Sequence, residues 1–282
     1  MRRRLRAART WIILIVGALL GIALAGLNQT GRGPLALLPG RDVTWQTVES
    51  RGVWRVGMDP SFPPFETLDA AGAPAGYDVD LARSMAEIWG VEAEIVAIGY
   101  DSLLDALQTG QVDSVISALP YDPRETKDFR FSAAYFDAGV MLATDETSVI
   151  RAPEDLTGRT VAVEWGSSGD MIARRLARDG IDLTLAQYAT PDEVIEGLVR
   201  DDGVDAALID HVTLRQAQGR GEPILAAGES LESAPYVIAS PIRAPQMAAR
   251  IDAALEALKN DGSLAEIETR WFGPLPEEPA TP

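Results

Sequence analysis

Cysteine is absent from the chain, and histidine occurs once, at His211. The first absence excludes disulfides, thiolate zinc sites, cysteine nucleophiles and lipidation through a cysteine near the N-terminus. The second excludes a metal site built from several histidines, and a lone histidine is by default a surface or packing residue. Positive charge is in deficit as well. Lys and Arg total 25 against 42 Asp and Glu, a formal net charge of −17. The acids are spread along the chain as a solubilising surface that repels phosphates, so nucleic-acid binding is not expected. No metal and no cofactor is expected. What remains is a chain of 282 residues, 46% hydrophobic, long enough for two lobes with their own cores.

One long charge-free apolar run is present, from Trp11 to Leu27, preceded by Arg2, Arg3, Arg4, Arg6 and Arg9. This is the pattern of a signal peptide or of an N-in membrane anchor. The run is long for the first and slightly short for the second. Ala23-Leu24-Ala25 offers an A-x-A cleavage site, so residues 1–27 keep both readings. Either one puts the remainder in the periplasm or on the extracellular face of the membrane, touching the membrane only through this segment. Residues 28–44, rich in Gly and Pro, read as a linker.

The stretch Gly57–Leu81 organises the rest. Val53–Gly57 reads as a strand. The loop after it carries Pro60, Pro63, Pro64, Gly72, Pro74 and Gly76, too many breakers for a helix or a central strand. Asp59 stands at the strand's exit, and Phe62 and Phe65 follow. Such a loop, with one acid and exposed aromatics, is a usual place for a small-molecule site. A plain structural connection is the alternative. Asp78 or Asp80 is expected to cap a helix over Asp80–Trp89 that Gly90 stops. Glu92–Ile98 reads as a strand, Asp101–Gln108 as a short helix and Val112–Ala118 as a third strand. Strands alternating with helices predict an α/β layer with a largely parallel sheet.

The second half repeats the pattern. Gly158–Val163, Leu183–Tyr188 and Ala206–Ile209 read as strands. A helix is predicted over Asp170–Asp179, and another follows Thr190 with Pro191 in its first turn. LLDALQTGQVDSVISAL (103–119) and VIEGLVRDDGVDAALID (194–210) form a weak internal repeat, which argues for two similar lobes. Tyr135–Thr144 and Ala234–Ser240 are extended and apolar, the natural crossovers between lobes. Lobe 1 is then discontinuous, residues 45–141 with 239–272, and lobe 2 is 142–238. Residues 273–282, GPLPEEPATP, read as a disordered tail.

Four segments carry a resemblance to a known family. They are GMDPSFPPF (57–65) with GYDVDLA (76–82); YDSLLDALQTGQVDSVIS (100–117) with DPRETKDFRFSAAY (122–135); VAVEWGSSGDM (161–171) with GVDAALID (203–210); and ALKNDGSLAEIETRWFG (257–273). Over residues 45–273 the chain resembles the bacterial extracellular solute-binding proteins of family 3, the polar amino-acid receptors of ABC importers. The resemblance implies an α/β, two-lobed periplasmic-binding-protein fold of type II. Two crossover strands join the lobes, and the ligand lies in the interlobe cleft. It implies a free amino acid as ligand, an ABC permease in the membrane as partner, and a monomer that works by hinge closure.

Such a ligand needs a cation for its carboxylate, an acid for its ammonium and a pocket for its side chain. Arg124 is the expected carboxylate partner, since its planar fork suits a bidentate contact. By residue type alone, a surface pair with Asp122 or Glu125 is the alternative. Ser167 and Ser168 sit where a loop enters a helix and are expected to take the other carboxylate oxygen, a role compatible with N-capping. Asp210 reads by type as a helix cap, and the resemblance implies that it holds the ammonium. Asp59, Phe62, Tyr100 and Glu164 match the side-chain pocket, the two aromatics sandwiching a flat or aliphatic group. Ser117 opens the loop to Arg124, which is about one residue shorter than relatives carry, and Pro120 in it has no N–H. Lobe 1 is therefore expected to offer the ammonium little beyond Ser117 and backbone carbonyls.

Asp59, Glu164 and Asp210 give −3 and Arg124 gives +1, so a neutral side chain leaves the closed cleft at −2 and a cationic one at −1. Burying unpaired carboxylates is costly, which favours arginine, lysine or ornithine over glutamine, unless Glu164 turns outward or binds a backbone group. Two other functions fit the same scaffold. A cyclohexadienyl-dehydratase-like enzyme would use Glu164 as general acid. An amino-acid-sensing ectodomain is the other, against which the lack of a second span or kinase region before Pro282 argues. The leading reading is a receptor with no catalytic residues.

Overall fold

The structure, a computed structural model, describes residues 42–200 and 203–275. The expectations for residues 1–27 and for 276–282, and most of the 28–44 linker, lie outside the described residues. Among the described residues, no helix is long and apolar enough to cross a membrane.

Helix α1 (Thr44–Arg51) stops at Gly52, whose φ of 69° is left-handed. Strand β1 (Val53–Met58) follows. The Pro-rich loop after it hides a small hairpin, β2 (Thr67–Leu68) against β3 (Pro74–Ala75). Helix α2 (Tyr77–Trp89) starts three residues before its predicted position. Its N-cap is Gly76, at φ 143°, and no side chain caps it. A Cβ at residue 76 would stand 2.0 Å from the Phe65 carbonyl oxygen, so this glycine lets the loop lie against the helix entry. The capping expected of Asp78 and Asp80 is therefore wrong. Asp78 is buried and accepts from Ala118 N (2.6 Å) and Tyr135 Oη (3.0 Å). Asp80 accepts from Arg270 Nη1 (2.8 Å) and Trp271 Nε1 (2.9 Å), near the chain's other end.

The first half continues with β4 (Glu92–Ala97), α3 (Leu103–Gln108), β5 (Ser114–Val115), β6 (Phe129–Phe131) and β7 (Phe136–Asp137). Strand β5 is far shorter than the predicted Val112–Ala118. The chain leaves the ladder near Ala118, the one non-glycine with positive φ (42°) among the described residues. The second half runs β8 (Val140–Asp145), β9 (Thr160–Glu164), α4 (Ser168–Arg178), β10 (Thr184–Tyr188), α5 (Pro191–Arg200), β11 (Ala206–Asp210), α6 (His211–Gly219) and β12 (Ile224–Ala226). The chain returns through β13 (Pro235–Tyr236) and β14 (Ala239–Pro241) to α7 (Pro245–Asn260) and α8 (Ser263–Phe272).

These strands make two five-stranded sheets of like design, ordered β4-β1-β5-β14-β6 and β10-β9-β11-β8-β12. In each, three strands are parallel, and the remaining pairings are antiparallel. The sheets are thus more mixed than alternation alone predicts, because the segments at the crossovers join them antiparallel. The sequence repeat has a matching physical cause in both. Asp113 accepts from Arg55 N (2.9 Å) and pairs with that residue's guanidinium (2.8 Å). Asp205 does the same for Thr160 N (2.8 Å) and the Arg159 guanidinium (2.9 Å). Each Val-Asp entry thereby pins its strand beside the neighbouring one.

Between the sheets, β7 and β13 pair antiparallel, Phe136 opposite Tyr236 and Asp137 opposite Pro235. These are the two crossover strands of a two-lobed α/β fold. One core joins α1, β1, α2, α7 and α8 around Trp54, Phe65, Tyr77 and Phe272. A second cluster contains β5, with Leu103 and Leu107 of α3. Two clusters flank the second sheet, one with Ile172 of α4 and one with Val194 and Leu198 of α5. Gly273, read by sequence as the start of the tail, instead accepts from Arg215 Nη2 at 3.0 Å.

Candidate functional site

Each sheet carries a pocket where its parallel strands end, the usual place for a ligand in an open α/β sheet. The first, about 320 Å³, is lined by Asp59, Phe62, Tyr100 and Ser117 among others. The second, about 230 Å³, is lined by Glu164, Ser167, Ser168 and Asp210 among others. Eight of the nine residues singled out by sequence therefore fall in two pockets, four in each. Arg124 lines neither.

In the first pocket β1 delivers Asp59 and the turn before α3 delivers Tyr100. Asp59 Oδ2 accepts from Tyr100 N at 2.9 Å, which fixes the aromatic beside the acid. Asp59 N donates to Ser117 Oγ at 3.0 Å, joining the exits of β1 and β5. Phe62 and Tyr100 are 44% and 46% exposed, so both offer open ring surface. Phe62 stacks on the buried Phe65 at 5.8 Å and 7°. Tyr236, on the crossover strand β13, also lines this pocket and was missed in the sequence, where the segment signalled only an extended run.

In the second pocket the N-terminus of α4 meets the ends of β9 and β11. Ser167 caps α4, its Oγ accepting from Asp170 N at 3.2 Å. First-turn N–H groups of a helix have no intrahelical partner and favour an anion. Gly169 makes the close approach possible, because a Cβ there would stand 2.1 Å from the Leu208 carbonyl oxygen on β11. Asp210 caps α6, with Oδ1 accepting from Thr213 N (2.8 Å) and Oδ2 from Thr213 Oγ1 (2.6 Å). The capping read from residue type is thus present for both Ser167 and Asp210. Glu164 ends β9 half-buried, and its carboxylate makes no hydrogen bond or ion pair among the described residues.

Arg124 lies on a short turn, Pro123–Glu125, and its side chain is 86% exposed. Its Nε and Nη2 grip Asp122 at 3.0 and 2.6 Å. This is the surface pair that residue type alone suggested. The guanidinium holds the Asp122 carboxyl below its ordinary range.

The model of the bacterial extracellular solute-binding proteins, family 3, matches residues 54–274. The chain belongs to this family. The arginine-binding extracellular protein ArtP of Bacillus subtilis (strain 168) is 25% identical over 271 residues, 94% of this chain and 98% of that protein. The ABC transporter glutamine-binding protein GlnH of the same strain is 28% identical over 215 residues, 75% of this chain and 76% of that one. Among solved structures, a polar amino acid ABC uptake transporter substrate binding protein from Streptococcus thermophilus superposes with a TM-score of 0.73 at 22% identity. It covers 83% of this chain and 90% of that one. That likeness shows the fold, a type II periplasmic binding protein, and the family as a whole is extracytoplasmic.

In this family 3 protein the first pocket has a second layer that the sequence did not disclose. Glu66, directly after Phe65, is 1% exposed, and its Oε1 accepts from Ser117 Oγ at 2.7 Å. Behind it lies buried Asp78, and Glu66 Oε2 and Asp78 Oδ1 are both buried without a hydrogen-bond partner among the described residues. The only sequence signal was two acids, at 66 and 78, embedded in apolar surroundings. Burial pushes both carboxyls above the ordinary range, and the charge on Asp78 pushes Glu66 further.

A carboxyl raised in the folded state contributes stability that is fully present below its unfolded pKa, about 4. That stability is lost as pH rises through the folded value. Glu66→Gln cannot ionise and can still accept from Ser117 Oγ. We expect scanning calorimetry to find its Tm above wild type at pH 8, by about 2–4 °C for each kcal/mol regained, with the gap closing towards pH 4. A variant whose Tm tracks wild type at both pH values would show that Glu66 does not hold a proton.

Proposed function

We propose that the chain is the amino-acid receptor of an ABC importer, closing its two lobes on a free amino acid and presenting it to a membrane permease. The observation that carries this is the division of eight ligand-type side chains between two pockets, one at the strand ends of each matched sheet. In this reading the two pockets are halves of one site. The N-terminus of α4, with Ser167 and Ser168, takes one carboxylate oxygen, and Arg124 swings from Asp122 to take the carboxylate by its fork. Giving up an exposed ion pair costs little, because solvent screens both charges. Asp210 and Ser117 hold the ammonium. Asp59, Glu164, Phe62 and Tyr100 surround the side chain. Ligand contacts to both lobes stabilise the closed form, and the β7–β13 pair is the hinge. The receptor works as a monomer outside the cytoplasm, with residues 1–27 as its signal or anchor, and it carries out no reaction of its own.

The charge favours a basic ligand. Asp59, Glu164 and Asp210 stand against Arg124 alone, and the Glu66–Asp78 pair adds a further negative charge behind the first pocket. Glu164 in particular has no cation of its own to neutralise it. Thermal shift across the twenty amino acids identifies the binders, since binding the folded form raises Tm. Calorimetric titration then ranks them. L-Arginine or L-lysine is expected to bind about tenfold or more tighter than L-glutamine, a difference of about 1.4 kcal/mol. L-Glutamine binding tighter than both would overturn the basic preference and leave the receptor reading standing.

A further inference from the structure

Ser117 has one hydroxyl proton and two lone pairs to place. One lone pair accepts from Asp59 N at 3.0 Å, and the hydroxyl lies 2.7 Å from Glu66 Oε1. The direction of that second bond decides what Ser117 can offer a ligand. If Glu66 donates, the Ser117 proton is free to turn into the pocket and Ser117 becomes a donor. If Ser117 donates, the remaining lone pair is all it has left, and only a donor can bind there.

Two orphaned oxygens settle the direction. Glu66 Oε2 and Asp78 Oδ1 are buried with no hydrogen-bond partner when both groups are written as carboxylates. Asp78 Oδ2 is already committed to Ala118 N and Tyr135 Oη, donors that favour a charge on Asp78. A proton on Glu66 Oε2, donated to Asp78 Oδ1, satisfies both orphans at once. A proton on Glu66 Oε1, donated to Ser117, would leave both buried oxygens without a partner, which is costly. Glu66 Oε1 is therefore a carbonyl-type acceptor, and Ser117 gives its proton to it.

We infer that Glu66 is a positioning residue for the ligand's ammonium group: as a neutral acid bonded to Asp78, it takes the Ser117 hydroxyl proton and leaves Ser117 able only to accept. The inference rests on the amino-acid-receptor reading and deepens it. It accounts for a lobe-1 wall that offers an ammonium one hydroxyl lone pair as acceptor. The same lone pair repels a carboxylate or carbonyl oxygen, so the pocket selects for an amino group. Glu66 acts through Ser117 and not by its own charge.

The test is calorimetric titration of wild type, Glu66→Gln and Glu66→Met with two probe pairs. One is L-arginine with 5-guanidinopentanoate, the same molecule without its amino group. The other is L-glutamine with 4-carbamoylbutanoate. The readout is the ratio of dissociation constants within each pair, which compares two ligands on the same folded protein and is blind to lost stability. The amide of Glu66→Gln donates to Asp78 and accepts from Ser117, so its ratio is expected within about threefold of wild type. The thioether of Glu66→Met takes no proton from Ser117, the hydroxyl is released, and the ratio is expected to fall about tenfold or more. A Glu66→Met ratio equal to wild type, with L-arginine or L-glutamine still bound by wild type, overturns the inference and spares the receptor reading. If wild type binds neither amino acid, the receptor reading falls and this inference with it. If Glu66→Met does not fold, Glu66→Gln decides: a retained ratio supports the neutral relay, and a tenfold loss means that charge on Glu66 itself holds the ammonium, which overturns it.

Discussion

Arg124→Ala is expected to weaken L-arginine binding by about 30-fold or more and to leave Tm within about 1 °C of wild type. The expected separation of binding from folding is geometric. The Arg124 side chain is 86% exposed, and among the described residues its guanidinium bonds only to Asp122, two residues away. Exposed pairs of this kind contribute little to stability. In the proposed closed form, the same fork would make a bidentate, desolvated contact with the ligand carboxylate. Removing one partner of such a pair costs about 2–5 kcal/mol, or roughly 30- to several-thousandfold in affinity. Circular dichroism and thermal melts check the first half of the expectation, and calorimetry the second. Wild-type affinity in the variant would mean that the N-terminus of α4 carries the carboxylate alone. A large loss of Tm would mean that Arg124 holds the fold in some way its exposure does not suggest.

Arg124 also marks a limit of reading residues one at a time. By type it was a surface arginine, and it is one in this structure; only its place in the chain after β5 argues for more. The same duality holds for Ser167 and Asp210, which cap α4 and α6 and also line a pocket. Capping and ligand binding draw on the same polar groups at the same strand-to-helix junctions. The order of strands and helices was legible because local periodicity and breakers set it, as at Gly90 and Thr190-Pro191. The repeat was legible because Asp113 and Asp205 do the same work in each sheet. What could not be read was decided by contacts distant in sequence. Strand β5 ends early because Asp78, 40 residues away, takes the Ala118 amide. Helix α2 begins early because Gly76 packs on the Phe65 carbonyl, a contact that no periodicity encodes. Glu66 looked like an ordinary loop acid until the fold placed it against Asp78. The Gly57–Leu81 stretch thus forms one wall of a pocket, with a buried acid pair behind the wall.

Arg215 is the other residue whose importance the fold alone reveals, and Arg215→Met is expected to cost about 3 kcal/mol of stability, the lower end of what losing one partner of a buried pair costs. Its side chain is 2% exposed, a rare state for an arginine, and three groups hold the guanidinium. Nε donates to Glu268 (3.0 Å), Nη1 to Gln218 (2.9 Å) and Nη2 to the Gly273 carbonyl (3.0 Å), while the group lies 5.8 Å over the Phe272 ring. These contacts bind α6, which follows β11 of the second sheet, to α8, which packs in the core beside the first. Gly219 shows how tight the seam is: a Cβ there would stand 1.9 Å from the Phe272 carbonyl oxygen. Methionine can fill the volume but satisfies none of the three acceptors. Breaking a buried pair by removing one partner costs about 3–5 kcal/mol. Glu268 remains 30% exposed and can recover some hydration, which sets the expectation at the lower end. Tm should fall by about 6–12 °C, and urea denaturation followed by circular dichroism measures the loss directly. A change below about 1 kcal/mol, the worth of an exposed pair, would show that the seam does not depend on this charge. Asp210 caps the same helix, so loosening α6 also loosens the proposed ammonium partner. L-Arginine affinity is therefore expected to fall as well, though by less than in Arg124→Ala, because Arg215→Met loosens the support of one proposed ligand contact, whereas Arg124→Ala removes a proposed contact outright.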